Sequence, residues 1–414
     1  MQQPYIGLLD CNNFFVSCER LFRPELRQKP VVVLSSNDGC VVARSQEIKD
    51  SGVPMGVPYF KIKDTLKKLD ATVFSSHFTL YRDISRRVFA VMREELCGVE
   101  QYSIDEAFFR LTSLDESVLQ RVKRVVEQKV GIPVSLGLAA TKTQAKYANQ
   151  LAKRGGGTCV LSPEHWDQLV SDIPLYDIWG VGKRLELRCK QHRLFTVADL
   201  IAADPARVRA LFGVVGLRLQ QELTGTSAYQ FTEQLLPQQS MMHSRSFNKV
   251  TKDKAVLSDA LAYHVRHAAA DLRACKQLAT SVRVFIRPSR HGDFFLYGGS
   301  AEAVLPAPTN DTLVLLRTAQ ILLSGLYEPG VPYQKTGVVL HGLMAVEGAQ
   351  PALFVPDRTL TTQSKLMEAV DALNHGRETV FFGSRLRTKD WQAKAEVRSP
   401  AYTTRWEDLA TVAA

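Results

Sequence analysis

The sequence predicts a multidomain α+β protein with two βαββαβ units separated by a helical segment. Three observations carry this reading. The chain has 414 residues, 45% of them hydrophobic and 23% charged, which is ordinary globular composition and enough for two to four domains at roughly 100–200 residues each. Strand and helix signals recur in the same order near the start and after residue 240. Between these two regions, residues 166–235 read as wholly helical.

The runs "IGLL" (6–9) and "VVVL" (31–34) have the short apolar form of buried strands. Residues 79–96 place Leu80, Ile84, Val88, Val91, Met92 and Leu96 at helical spacing. The strands "VEQYSI" and "AFFRL", a helix over about 115–130 and the strand "IPVSLGLA" (132–139) follow. With 10–76 as a large excursion, this is the split ferredoxin-like order, and it places the first strand centrally, beside "VEQYSI".

The same order is predicted for the second unit. It runs through the strand "RSFNKV" (245–250), a helix over 254–274, strands at 279–286 and 293–298 about a Pro- and Gly-bearing turn, a helix near 310–327 and a strand at 335–344. "EQLLPQQSMMH" (233–243) reads as a linker, and 346–414 as a tail or small subdomain. The helical segment holds "DIWGVGKR" and "ALFGVVGLRLQ". These are two helix–turn–helix candidates whose glycine turns expose N–H groups at a basic helix start, an arrangement suited to anions. The alternative is a pair of ordinary tight αα-hairpins.

Lys and Arg exceed Asp and Glu by 52 to 42, a net charge of +10, which favours a polyanionic partner. The start "MQQPYIGLLDCNNFF" has no basic n-region, and no apolar run reaches roughly 18 residues. The expectation is a cytoplasmic protein with no membrane association. Seven scattered cysteines without a C-x-x-C pair read as reduced thiols, neither a disulfide framework nor a zinc site.

The chemistry centres on "EQYSIDEAFF" (100–109), where Asp105 and Glu106 sit side by side among apolar residues. Neighbours on a regular strand point to opposite faces, so a shared role requires a strand end or a bend. Asp10 ends the first strand, and three carboxylates would then converge at one sheet edge. Such acids raise one another's pKa unless a cation neutralises them. An all-oxygen donor set with no His or Cys side chain suits Mg²⁺ rather than zinc or a redox metal. Two such ions would serve in-line nucleotidyl transfer.

Positive charge for substrate phosphates is available from Lys142, Lys146, Lys153 and Arg154 in "TKTQAKYANQLAKRGGGT", and from Arg44 and Lys49 in "CVVARSQEIKDSG". The glycine run 155–157 is not a P-loop, because G-x-x-x-x-G-K-[ST] is absent. The strand at 279–286 would place Arg283, Phe285 and Arg287 on one face, a mixed basic and aromatic surface suited to nucleic acid.

Together, "LLDCNNFFVSCERLFRP", "KPVVVLSSNDGCVVARSQEIKDSGVPMG", "YSIDEAFF", "GLAATKTQAKYANQLAK" and "WGVGKR" resemble the Y-family, lesion-bypass DNA polymerases over essentially the whole chain. With "SPAYTTRWEDL" near the end, the resemblance is to the polymerase V-type branch. It implies a right-hand polymerase with a palm at 1–21 and 77–165 and small fingers at 22–76. A helix-hairpin-helix thumb would occupy 166–235, a little finger 241–345, and a tail with a clamp-binding peptide 346–414.

The resemblance further implies that Asp10, Asp105, Glu106 and the Cys11 backbone carbonyl hold two Mg²⁺ ions. Phe15 would be the steric gate against the ribose 2′-hydroxyl, keeping the ring though not the hydroxyl of a Tyr. Lys49 and Lys153, with Arg44, would grip the deoxynucleoside triphosphate. Gly180, Gly182, Lys183, Arg184, Arg245, Arg283 and Arg287 would contact primer-template DNA. Gln350, Leu353 and Phe354 would bind a sliding clamp, and a processed UmuD-like dimer and RecA are the implied partners. Asn12 stands where many relatives carry a second Asp, and Gln46 where other branches present a Tyr.

Two other classes remain in view: a nucleotide cyclase on the same palm fold, and a non-catalytic adaptor. A cyclase has no long nucleic acid to hold, so the basic thumb and second sheet argue against it. An adaptor would have lost the metal acids, and all three are present.

Overall fold

The computed structural model describes residues 4–233, 238–289, 294, 297–348, 357–374 (side chains from 365), 379–380, 391 and 394–409. The chain divides into two compact units, residues 1–235 with 396–414, and residues 236–395.

In the first unit, β1 (Tyr5–Cys11) runs into α1 (Phe14–Phe22). The excursion that follows forms β2 (Val31–Leu34), β3 (Val41–Arg44), α2 (Gln46–Asp50), α3 (Tyr59–Lys68) and β4 (Thr72–Ser75). Its strands make a separate sheet in the order β3-β2-β4, around a small core of Val32, Leu34, Val41, Ile48 and Leu66. Then come α4 (Phe78–Glu95), β5 (Val99–Gln101), β6 (Glu106–Leu111), α5 (Glu116–Val130), β7 (Val134–Ala139), α6 (Lys142–Arg154) and β8 (Thr158–Val160). The main sheet has the order β5-β6-β1-β7-β8. β1 is central, as the sequence predicts, but its neighbours are β6 and β7. The "VEQYSI" strand stops at Gln101 and pairs only with β6.

The alternation of β1 sorts its side chains between two cores. Leu9 and Cys11 join a core with α1, α4 and α5, while Ile6 and Leu8 join Phe108, Ala145 and Ala148 on the α6 side. Two glycines permit close layers. A Cβ on Gly7 would lie 2.1 Å from the Phe109 ring, and one on Gly137 would lie 2.2 Å from the backbone of α6 at Asn149. The Asn149 amide donates to the Leu8 and Ser135 carbonyls, so α6 is fixed in register on β1 and β7.

The rest of the first unit comprises α7 (Pro163–Leu169), α8 (Lys183–Gln191), α9 (Val197–Ala202) and α10 (Pro205–Leu223). The prediction of a helical segment holds to residue 223, and 224–233 is irregular. The buried Glu222 carboxylate accepts from the Thr143, Ala228 and Tyr229 amides, which joins the start of α6 to the end of this segment.

The second unit carries β9 (Ser240–Thr251), α11 (Lys254–Ala274), β10 (Gln277–Pro288), β11 (Gly299–Thr309), α12 (Thr312–Leu326), β12 (Tyr333–His341), β13 (Met344–Ala345) and α13 (Asp357–Leu373). β9 begins inside the predicted linker. The strand expected at 293–298 lies partly outside the described residues, with Phe294 in a turn, and the strand that pairs with β10 is Gly299–Thr309. Its small alternating residues "GSAEAVLPAPT" carry a weaker strand signal than the aromatic run before them. The main order is β11-β10-β12-β9, with every pair antiparallel. α11 and α12 pack on one face over Val282, Val284, Ile286, Val338 and Leu340. All seven cysteines are free. Among the described residues, no helix is long and apolar enough to cross a membrane.

Candidate active site

The β1–β6 register brings two of the expected acids face to face. Asp10 pairs with Glu106, and Leu8 with Phe108 two residues earlier. Both carboxylates therefore project toward α6, on the face of Ile6, Leu8 and Phe108. Asp105 escapes strand alternation because residues 103–105 form a bend. Ser103 shapes that bend: its hydroxyl accepts from the Asp105 and Glu106 amides and donates to Asp105 Oδ1 at 2.6 Å. The Cys11 amide donates to the Asp105 carbonyl at 2.9 Å, closing the bend against the end of β1. Ser103 was missed in the sequence, although a Ser two residues before an Asp is a recognisable turn former.

Facing these acids, α6 presents Lys142, Lys146, Asn149 and Lys153 at spacings of four, three and four, one face of a helix. Each lysine takes one carboxylate. Lys153 Nζ lies 2.7 Å from Asp10 Oδ2, and Lys146 Nζ lies 2.9 Å from both Glu106 oxygens. Lys142 Nζ lies 2.7 Å from both Glu100 oxygens and donates to the Gln230 carbonyl. Lys142 is buried and fully engaged, so it is structural and does not supply the substrate-facing charge the sequence suggested. Lys146 is also enclosed by rings, 4.8 Å from the Tyr102 centroid and 5.1 Å from Trp179.

The field of the cluster shows in its acidities. Burial pushes the Asp10 carboxyl from 3.8 up to about 6, against the lowering effect of Lys153; Glu106 and Asp105 push it further up. Burial, with Lys153 and Arg44 nearby, pulls the Lys49 ammonium below its ordinary range, while Asp10 opposes this. Lys49, Lys153, Arg44 and Asp10 thus share one electrostatic neighbourhood. Arg44 itself donates to the Val53 carbonyl, and Gln46 to Asp50 at 2.8 Å. Asn12 accepts from Ser135, and its amide bonds the Pro133 carbonyl, so it braces the β1 end.

Phe15 lies two residues after Asn13, which sits at φ 50 and turns the chain from β1 into α1. Its ring stacks on Tyr81 at 4.5 Å and meets Phe78 edge-on at 5.8 Å.

Among the described residues, no group of three His, Cys, Asp or Glu side chains is gathered as a metal centre. Asp10 and Glu106 instead turn to lysine ammonium groups, and Asp105 to Ser103. The donor chemistry nonetheless fits hard divalent cations: three carboxylates end adjacent strands, and their mutual repulsion calls for positive charge, which the lysines provide.

In the helical segment Gly180 has φ 95, and Gly182 caps α8, whose first residues Lys183 and Arg184 are exposed. Gly213, at φ 69, kinks α10 ahead of the exposed Val214, Val215 and Arg218. Arg188 donates to the Leu211 carbonyl and links the two turns.

In the second unit Arg283, Phe285 and Arg287 occupy the β10 face away from the helices, as alternation predicts. Arg283 is committed to Glu302 at 2.6 Å. Arg287 and Lys335 both lie over the Phe285 ring, at 5.8 and 5.7 Å. Arg245 is elsewhere. It lies over Tyr263 of α11, on the helix-covered side. Gln350, Leu353 and Phe354 lie outside the described residues.

Comparison with known proteins gives this arrangement its class. A Y-family DNA polymerase chimera of known structure superposes with a TM-score of 0.70 at 18% identity, covering 82% of this chain and 99% of its own. The fold is that of a Y-family DNA polymerase. Residues 9–150 match the impB/mucB/samB family, and residues 238–353 match the C-terminal domain of that family. Protein UmuC of Salmonella typhimurium is 35% identical over 98% of this chain and 99% of its own length. Protein SamB of the same organism is 34% identical over 97% and 98%. A DNA polymerase IV of Corynebacterium diphtheriae is 28% identical over 86% and 78%. The chain belongs to the impB/mucB/samB family. Residues 364–412 additionally match a domain of unknown function, DUF4113.

Proposed function

We propose that this chain is a template-directed DNA polymerase that extends primers past damaged bases, as the UmuC-like catalytic subunit of a polymerase V-type complex in the SOS response. The observation that carries the reading is the register pairing of Asp10 with Glu106, with Asp105 at the adjoining bend. This puts three carboxylates at one end of a rigid sheet, opposite a lysine-bearing helix.

In this reading residues 1–21 and 77–165 are the palm, 22–76 the fingers, 166–235 the thumb, 241–345 the little finger and 346–414 the tail. Asp10, Asp105, Glu106 and the Cys11 carbonyl hold two Mg²⁺ ions. When bound, these supply the positive charge that in-line phosphoryl displacement requires. Lys49, Lys153 and Arg44 hold the triphosphate, and Lys153 exchanges Asp10 for phosphate when the nucleotide enters. The primer 3′-hydroxyl attacks the α-phosphorus, its proton passes to solvent water, the new P–O bond replaces the α–β phosphoanhydride bond, and pyrophosphate leaves. The Phe15 ring, held by Tyr81 and Phe78, closes the space beside the sugar C2′. The glycine turns at 180–182 and 213–216 face phosphate, and the open β10–β12 face of the second unit grips the duplex. A sliding clamp, a processed UmuD-like dimer and RecA are the proposed partners, in the cytoplasm.

Primer extension opposite an abasic site, with Asp105→Ala/Glu106→Ala as comparison, tests this reading. Extension by the parent and none by the double variant is expected. Equal extension by both would remove these acids from catalysis.

A further inference from the structure

Residues 396–409 belong to the first unit and lie within the segment matched only to a domain of unknown function. They form a strap across the elements that carry the proposed sugar gate. The Ser75 amide donates to the Val397 carbonyl at 3.1 Å, and the Val397 amide to Ser75 Oγ at 3.2 Å. Arg398 bridges Ser75 in parallel, so the strap covers the edge of β4. The Glu396 amide bonds Asp38 at 3.1 Å, and Tyr402 stacks on Phe22 at the end of α1, with centroids 4.6 Å apart.

The strap's central residue reaches the gate's support. Ser399 Oγ lies 3.1 Å from Nδ1 of His77, the N-cap residue just before α4, whose carbonyl accepts the Tyr81 amide. Burial pushes the carboxyl of Glu19, a fully buried residue of α1, up to about 6, with the Tyr81 and Ser399 hydroxyls acting to lower it. Glu19 in turn accepts a 2.6 Å hydrogen bond from the Tyr81 hydroxyl. Tyr81 is the ring on which Phe15 stacks. Two side chains of the strap therefore touch the elements that fix the ring pair: Ser399 the start of α4 through His77, and Tyr402 the end of α1 through Phe22.

We infer that the C-terminal strap is a positioning element for sugar selection: Ser399 and Tyr402 hold the Glu19–Tyr81–Phe15 stack in place, so that discrimination against ribonucleotides depends on a segment far from the reacting atoms in sequence. This rests on the assignment of Phe15 as the gate. It gives the DUF4113 region a function within the nucleotide site.

The test uses the full chain and measures single-nucleotide incorporation of a ribonucleotide and of the matching deoxyribonucleotide as a ratio of kcat/KM values. Ser399→Ala and Tyr402→Ala should each raise the ribonucleotide share about fivefold, the scale of one lost hydrogen bond or ring contact. Tyr402→Phe keeps the ring and should match the parent. A merely structural role would lower both substrates together and leave the ratio unmoved. Phe15→Ala separates the two claims. If it raises the ratio while both strap variants leave it unchanged, the strap inference is overturned and the gate stands. If Phe15→Ala itself changes nothing, the gate assignment fails and the strap inference fails with it. A strap variant that folds poorly is replaced by His77→Gln, which removes the same contact from the α4 side and should raise the ratio equally; no rise would count against the inference.

Discussion

The two units draw on the same element order, yet their sheets are wired differently. In the first, the opening strand β1 is central, between β6 and β7; in the second, the opening strand β9 is an edge, next to β12. A central first strand lets Asp10 end beside the β6 hairpin, and α6 then covers the face toward which both acids point. Among the described residues, α11 and α12 cover one face of the second sheet, and its other face carries Arg283, Phe285, Arg287 and Lys335. One βαββαβ order thus yields a cluster of carboxylates at strand ends, and the other a broad basic and aromatic surface. Element order sets the layers, while strand order decides which residues can meet.

Four variants test this contrast. The largest effect should come from Lys142→Met, which leaves the half-buried Glu100 without its lysine partner. The expected loss is about 3–5 kcal/mol of stability, read as a fall in the urea midpoint; no change would mean Glu100 is satisfied by the Thr232 amide alone. Lys146→Met removes the cation that orients Glu106. It should lower incorporation about ten- to hundredfold, the usual cost of losing a group that orients a ligand, with little change in DNA affinity. The smallest effect belongs to the second unit. Arg287→Ala should reduce the slope of log affinity against log salt by about one, and Arg283→Ala by less, because Glu302 already takes its charge. Equal slopes for the two would contradict the different commitments of these arginines.

Much of this was legible in the sequence because its signals are local. Apolar periodicity located α4, α11 and the central strands, and the Asp105–Glu106 oddity led to the site. Strand order was less legible: the hydrophobic run of "VEQYSI" marks a strand but carries no information about its neighbour, and β1 pairs with β6 instead. The lysine stripe of α6 reads as charge supply in sequence, yet burial turns Lys142 into a structural ion pair. Arg245 looked equivalent to Arg283, but β9 parity sends it to the helix side. The strap holds "SPAYTTRWEDL" (399–409), which marks the family branch, but nothing local in it points to its partners Ser75, His77 and Phe22, more than 300 residues away in the chain.

The central claim is that the β1–β6 end is the chemical centre and is separable from DNA grip. Single-turnover nucleotide incorporation by Glu106→Gln, with primer-template affinity measured on the same preparation, tests it most directly. The account predicts a loss on the order of 10³-fold in rate with affinity unchanged. A parent-like rate, or a loss explained wholly by weaker DNA binding, would contradict it.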